Sequence, residues 1–308
     1  MTDFYVTGAS GVLGAEIAFH FSRQEGMRVK AISRKPCPLL PLHHPAQVQP
    51  QAVYGATWFD PDHHAATIVH CAGMSDPRLE FQSFSTLAQE QILPHVAMVE
   101  ALLERGWRGR LIYFSSGGTV YGNALHLPIS ETHPTSPVSF YGLHKLCIER
   151  ALEHLARTRG FELIVLRVSN PYGGTLAKPN QGVIPILVDA FLKDQPFKIL
   201  GDGSAQRDYL EITDLCRAVE CCLHHRMDDP VLTLNIGSGE GTTLTALIKL
   251  LGGLLNRPLR THHVPSVHDV QSNVLCPRRA WEVLGWRAKV TLPVGVDRYL
   301  ARLRSLVD

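Results

Sequence analysis

Short β-branched runs alternate with helix-period segments through the first half of this 308-residue chain, and each run ends in a loop rich in Gly, Ser or Asn. Parallel neighbouring strands need a crossover between them, and a helix supplies it, so this alternation is the pattern of a parallel sheet covered on both faces. Residues 4–7, 29–33, 67–71, 111–115 and 163–168 read as strands; 12–23, 87–105 and 141–158 read as helices. A doubly wound α/β fold is expected. With 45% apolar residues the chain can bury the core of one large α/β unit or of two lobes.

Two stretches break the rhythm. Residues 36–62, "PCPLLPLHHPAQVQPQAVYGATWFDPD", are proline-rich and predict irregular chain with one short strand near residues 52–59. After Asn170 the alternation stops, then "VLTLNIGSGEGTTLTALIKLLGGLL" (231–255) reads as one more strand–turn–helix unit returning to the sheet. The expected division is therefore a larger parallel-sheet domain from 1–169 plus 231–256, and a smaller, discontinuous C-terminal lobe from 170–230 plus 257–308.

Net charge is +2, with no block of like charges, so no nucleic-acid tract or membrane-surface patch is expected. No apolar stretch reaches the ~18 residues of a membrane span, and "MTDFYVTGAS" lacks the basic start and apolar run of a signal peptide. The seven cysteines are an odd set without CxxC spacing, which fits reduced thiols and a cytoplasmic protein. Among the sixteen histidines, the adjacent pairs 43–44, 63–64, 224–225 and 262–263 do not share a face of a helix or strand, and no metal site is expected.

"VTGASGVLG" places Gly8, Gly11 and Gly14 between the first strand and the first helix. Glycines there allow a tight turn and a close approach of backbone to a pyrophosphate, while the helix N-terminus offers free N–H groups and partial positive charge. At the end of the second strand stand Ser33, Arg34 and Lys35 rather than the acidic residue that grips the ribose hydroxyls of NAD. Cations there suit the extra phosphate of NADP, so NADP is favoured over NAD.

Later come "SSGGTVYG" (115–122) and "YGLHK" (141–145), the latter at a helix start. Spacing of four puts Tyr141 and Lys145 on one helical face. Lowering a phenol from ~10 to about 7 needs roughly 4 kcal/mol of selective phenolate stabilisation. An ammonium ~5 Å away at an effective dielectric near ~20 supplies about 3 kcal/mol. The pair is thus suited to donate and accept a proton.

"TGASGVLG", "VHCAG" (69–73), "SSGGTVYG", "YGLHK" and "LRVSNPYG" (166–173), in this order, resemble the extended short-chain dehydrogenase/reductases. "QGVIP" (181–185), "GDGSAQRDYLEITDL" (201–215), "NIGSGEG" (235–241) and "LGW" (284–286) extend the resemblance over almost the whole chain, toward the NAD-dependent epimerase/dehydratase branch. The resemblance implies a Rossmann fold and a dinucleotide along Gly8, Ser10, Gly11, Val12, Leu13 and Gly14, then Ser33 and Arg34. Beyond these it implies contacts to Cys71, Ala72, Ser115, Tyr141, Lys145 and Val168. It further implies a nucleotide-diphosphate sugar held by Asn170, Val183 and Arg207, and a homodimer paired through helices 87–105 and 141–158. Tyr141 would exchange the proton of a sugar hydroxyl while hydride moves to and from nicotinamide. An epimerase returns that hydride to the opposite face of a rotated 4-keto sugar, whereas a reductase consumes NAD(P)H.

Several positions depart from the branch. The hydroxyl that assists the tyrosine falls on Gly117, which moves the supporting role to Ser116 first and Thr119 second. Gly118 and Val120 flank Thr119 where dehydratases carry acidic residues, so elimination of water is disfavoured. A second substrate arginine is replaced by Ser266 in "VPSVHDVQ", leaving Arg260, Arg278 or Arg279 as substitutes. The acidic residue that helps hold adenine has only Asp60 and Asp62 as stand-ins. Three readings result: a 4-epimerase, an NADPH-dependent reductase of a 4-keto sugar or other carbonyl, and a non-catalytic dinucleotide-binding protein.

Overall fold

The computed structural model describes residues 2–41, 44–46, 53–73, 83–176, 182–265 and 272–305. Strand β1 (Thr2–Thr7) leads into helix α1 (Val12–Ser22), and β2 (Met27–Ile32) and β3 (Thr67–His70) follow. Helix α2 (Phe84–Leu87) passes through a π-helical turn (Ala88–Ile92) into α3 (Leu93–Glu104), and β4 (Arg110–Ser116), α4 (Phe140–Arg159) and β5 (Glu162–Val168) come next. The chain continues through β6 (Asn170–Tyr172), α5 (Val183–Leu192), β7 (Phe197–Leu200), β8 (Gln206–Glu211) and α6 (Ile212–His224). It ends with β9 (Val231–Ile236), β10 (Gly241–Thr243), α7 (Leu244–Leu255), β11 (Thr261–Val264), α8 (Arg278–Leu284) and α9 (Leu292–Ser305).

Six strands form one parallel sheet in the order β2-β1-β3-β4-β5-β9. All five expected strands lie in it, and the run at 231–236 returns beside β5 as the sixth. The alternation along β4 shows why both faces are covered: Leu111 and Tyr113 enter one core cluster, Ile112 and Phe114 the other. Because β1 connects to β2 on one side and the chain then crosses to β3 on the other, a crevice opens at the C-terminal ends of β1 and β3.

The proline-rich stretch corrects one expectation. Val53–Gly55 is a single 3₁₀ turn rather than a strand, and residues 51–52 lie outside the described ones. Burial explains the change: Val53, Ala56, Trp58 and Phe59 are packed into the core below β1 and β3, and the Trp58 indole donates to the Val53 carbonyl at 2.8 Å. The backbone must fold on itself to place four apolar groups on one side. The free edge of β2 is partly met by the chain at residue 46, where Ala31 N–H donates to the Ala46 carbonyl at 2.8 Å.

The second lobe carries its own core, in which α5, α7, α9 and β8 contribute Leu187, Leu247, Leu251, Tyr209 and Leu300. Two helices change sides relative to the expected division. Helix α6, within 170–230, buries Leu215, Ala218, Val219 and Cys222 on the large sheet, and α7, within 231–256, packs in the second core. The apolar stripe of each helix selects its partner face, and chain order does not decide it.

Candidate active site

The turn after β1 is built by backbone contact. Gly8 has φ +75°, a conformation that strains any residue with a Cβ, and a Cβ there would lie 2.5 Å from the Ala72 nitrogen. A Cβ on Gly14 would lie 2.4 Å from the Gly8 carbonyl oxygen, so helix packs directly on turn. The N-terminus of α1 begins at Gly11 with no side-chain cap and no acidic residue in its first turn. Its N–H groups therefore remain available to an anion. Ser10, Val12 and Leu13 are half-buried around this turn.

The other candidates stand at the same sheet edge. Ser33 follows β2, buried, its hydroxyl donating to the Lys35 carbonyl, while Arg34 is exposed. Cys71 and Ala72 follow β3 and are half-buried. Ser115 and Ser116 end β4, and Val168 ends β5.

Helix α4 starts at Ser139, whose hydroxyl accepts from Gly142 N–H at 3.1 Å, and this cap fixes the first turns that carry Tyr141 and Lys145. The Lys145 ammonium donates to the Phe114 carbonyl at 2.9 Å and lies 6.0 Å from the Tyr141 ring centroid. Of the candidate hydroxyls, Ser116 is the one close enough to the phenol to favour its charged form. Thr119, the other candidate, has a buried hydroxyl with no partner among the described residues, as has Ser115. Ser116 is therefore the hydroxyl that meets Tyr141. Burial pushes Tyr141 up to about 12, with the nearby Ser116 side chain pulling the other way. Burial likewise lowers Lys145 to about 8, opposed by Cys71 and Glu149.

Position 117 is closed to a side chain. A Cβ on Gly117 would lie 2.5 Å from Leu275 Cδ1 and 2.9 Å from the Arg167 carbonyl oxygen, and Asn273 donates to the Gly117 carbonyl at 2.9 Å. Leu275 and Asn273 were invisible to sequence reasoning, since neither carries a motif and both lie more than 150 residues further on.

On the second lobe, Asn170 donates its amide to the Asp208 carbonyl at 2.9 Å, and Val183 opens α5. Arg207 is half-buried on β8 and donates to the Gln206 carbonyl at 3.1 Å. The neighbouring carboxylates are engaged elsewhere: Asp208 accepts from Ser238, Gly239 and Leu275, and Asp214 from Arg217, Lys289 and Val290. The stretch with Ser266, His268 and Asp269 lies outside the described residues. Arg260 reaches Asp194 and Arg278 reaches Glu282, both as exposed pairs.

Sequence reasoning also missed the buried imidazoles. His144 stands against Tyr141 with ring centroids 5.2 Å apart, and His70 and His95 lie behind the crevice. Their signal in the sequence is an isolated histidine on an apolar face.

Among the described residues no helix is long and apolar enough to cross a membrane. Residues 4–237 match a family model described as the NAD dependent epimerase/dehydratase family. The chain is 34% identical over 244 residues, 79% of its length and 76% of the relative's, to a dTDP-4-dehydro-6-deoxyglucose reductase of Escherichia coli. It is 28% identical over 265 residues to a UDP-glucose 4-epimerase of Mycolicibacterium smegmatis, covering 84% of this chain and 78% of that one. Among solved structures, MoeE5 in complex with UDP-glucuronic acid and NAD matches with a TM-score of 0.86 at 27% identity over 99% of each chain. The UDP-glucose 4-epimerase of Thermotoga maritima, solved with UDP-glucose, matches with a TM-score of 0.86 at 25% identity over 100% of each.

Proposed function

Because the chain belongs to the NAD dependent epimerase/dehydratase family, we propose that it acts at C4 of a nucleotide-diphosphate sugar as an NAD(P)-dependent 4-epimerase, with Tyr141 as acid and base. The observation that carries this reading is the placement of Lys145 at α4, its ammonium on the Phe114 carbonyl and 6.0 Å from the Tyr141 ring, with Ser116 near enough to favour the phenolate.

The residues present fit a dinucleotide. Gly8 and Gly14 leave no room for a Cβ, α1 has an uncapped N-terminus, and Ser115 offers a buried hydroxyl without a partner. When bound, the nicotinamide supplies hydride acceptance and return, and in its oxidised form a positive charge. Tyr141 moves the proton. From about 12 to neutrality the phenol needs roughly 7 kcal/mol of phenolate stabilisation beyond what the residues around it already supply. Tyr141 therefore rests as an acid, ready to protonate a ketone oxygen, and becomes a base only in the filled site. Ser116 orients its hydroxyl, and Lys145 stays fixed by Phe114. Asn170 and Arg207 would hold the diphosphate, for which a planar guanidinium fork is suited, with Val183 beside them.

A second reading, a reductase of a 4-keto nucleotide sugar using NADPH, is favoured by two observations. Arg34 is exposed at the end of β2, where it suits an extra phosphate, and the E. coli relative is a 4-dehydro sugar reductase. Incubation with UDP- and dTDP-sugars separates the two. Interconversion of two sugars without added cofactor supports the epimerase; stoichiometric loss of NADPH absorbance supports the reductase and removes the epimerase. Tyr141→Phe should keep dinucleotide binding and lower turnover by several orders of magnitude; wild-type turnover in that variant takes tyrosine out of the mechanism. A cytoplasmic homodimer paired through α3 and α4 belongs to the same reading, and sedimentation equilibrium tests the pairing.

A further inference from the structure

Behind the crevice lies a buried polar column that the chemistry above does not use. Thr7 Oγ1 and His70 Nδ1 are 2.6 Å apart, His70 Nε2 and His95 Nδ1 2.7 Å, and His95 Nε2 and the Tyr54 hydroxyl 3.4 Å. Thr7, His70 and His95 are buried, and Tyr54 is half-buried. A neutral imidazole has one N–H to give and one lone pair to accept with, so the three contacts can run with one polarity. Thr7 donates to His70, His70 to His95, and His95 to Tyr54, whose own O–H is left for solvent.

The column meets the crevice through Gly73. This residue has φ +129°, and a Cβ on it would lie 2.8 Å from His95 Cε1. The preceding residue, Ala72, is the one against which Gly8 packs, with its nitrogen 2.5 Å from where a Cβ on Gly8 would stand. Imidazole, loop backbone and phosphate-binding turn are thus three successive layers. The π-helical turn at Ala88–Ile92 comes just before, in a helix where Pro94 offers no N–H, and the wide turn sets the phase that brings His95 inward. At the outer end, Tyr54 lies within electrostatic reach of Arg34.

We propose that His95 is a positioning residue for the dinucleotide: by bridging His70 and Tyr54 it fixes the backbone of residues 71–73, and so the height at which the Gly8 turn meets a pyrophosphate. The proposal rests on the dinucleotide reading above. Burial and the charge of Lys145 keep both imidazoles neutral, as this hydrogen-bond pattern requires.

Calorimetric titration of NAD and NADP onto the purified full chain, with unfolding midpoints and steady-state kinetics alongside, tests it. His95→Phe keeps a ring beneath Gly73 and removes both hydrogen bonds. Dinucleotide affinity should fall about tenfold, while kcat at saturating dinucleotide stays within about threefold of wild type. His95→Gln, which retains a donor and an acceptor, should recover part of the affinity. Tyr54→Phe, which removes the outer contact alone, should show a smaller but measurable loss. Wild-type affinity in a folded His95→Phe protein overturns the proposal, and so does a fall in kcat at unchanged affinity, which would mark proton transfer instead. If His95→Phe does not fold, Tyr54→Phe decides, and an unchanged affinity there overturns it. Failure of the dinucleotide reading is distinct: wild type itself would then bind neither NAD nor NADP.

Discussion

Acid should destabilise this protein earlier and more steeply than its surface charges would suggest. Burial lowers His70 and His144 to about 3 from an ordinary value of 6.5, and Lys145 adds to the shift in each. His95 is lowered in the same direction by burial, then by His70 and Lys145. The sign follows from linkage. Folded imidazoles stay neutral where unfolded ones take up a proton, so the stability they allow is whole above pH 6.5 and is lost as pH falls toward 3. At pH ~4.5, two units below the unfolded value, each group removes about 2.7 kcal/mol, so His70 and His144 together remove about 5 kcal/mol. That is comparable with the whole stability of many domains, about 5–15 kcal/mol. Most carboxylates titrate below this window, so the imidazoles dominate it. Urea unfolding followed by circular dichroism from about pH 7.5 to 4.5 measures the slope, which should approach two to three protons, about 3–4 kcal/mol per pH unit. His144→Leu removes one titrating group and should reduce the slope by about one proton. A stability that stays flat to pH ~4.5, or a slope unchanged in His144→Leu, would refute the reasoning.

Other expectations concern the site and its supports. Ser116→Ala should lower turnover by about 10²-fold while Thr119→Ala leaves it near wild type, since only Ser116 meets the phenol; equal effects in steady-state assays would contradict the geometry. Gly117→Ala should destabilise the fold by about 1–3 kcal/mol in urea titrations, because the Arg167 carbonyl oxygen cannot yield as a side chain does; wild-type stability in that variant would count against the close contact. Glu149→Gln should lower stability by about 3–5 kcal/mol, because the buried Arg167 guanidinium loses the carboxylate it grips at 2.7 and 3.2 Å; an unchanged thermal midpoint would count against that.

The positions that read correctly from sequence are those whose information is local. The five strand runs, the glycine turn and the Tyr141–Lys145 spacing each depend on neighbours within a few residues, whereas the order of the strands in the sheet comes from the structure. Residues 52–59 failed as a strand because their apolar groups serve a distant core, and a run of apolar residues does not say whether they alternate sides or gather on one. Helices α6 and α7 were assigned to lobes by their order in the chain, whereas the faces that accept their stripes come from α1 for one and from α5 and α9 for the other.

At the site the same division holds. Local pattern alone puts a glycine turn, a pair of serines and a Tyr–Lys pair at the C-terminal end of one parallel sheet, since strand polarity sends every such loop to the same end. Distant packing puts Ser116 rather than Thr119 beside Tyr141, and Leu275 and the Arg167 backbone crowd the space a Cβ at position 117 would take. The tertiary structure alone joined Thr7, His70, His95 and Tyr54 into one column. The physical reason is range: dihedral preference and periodicity act over a few residues, while a hydrogen bond or a steric contact of a few ångströms joins residues whose separation along the chain no local pattern records.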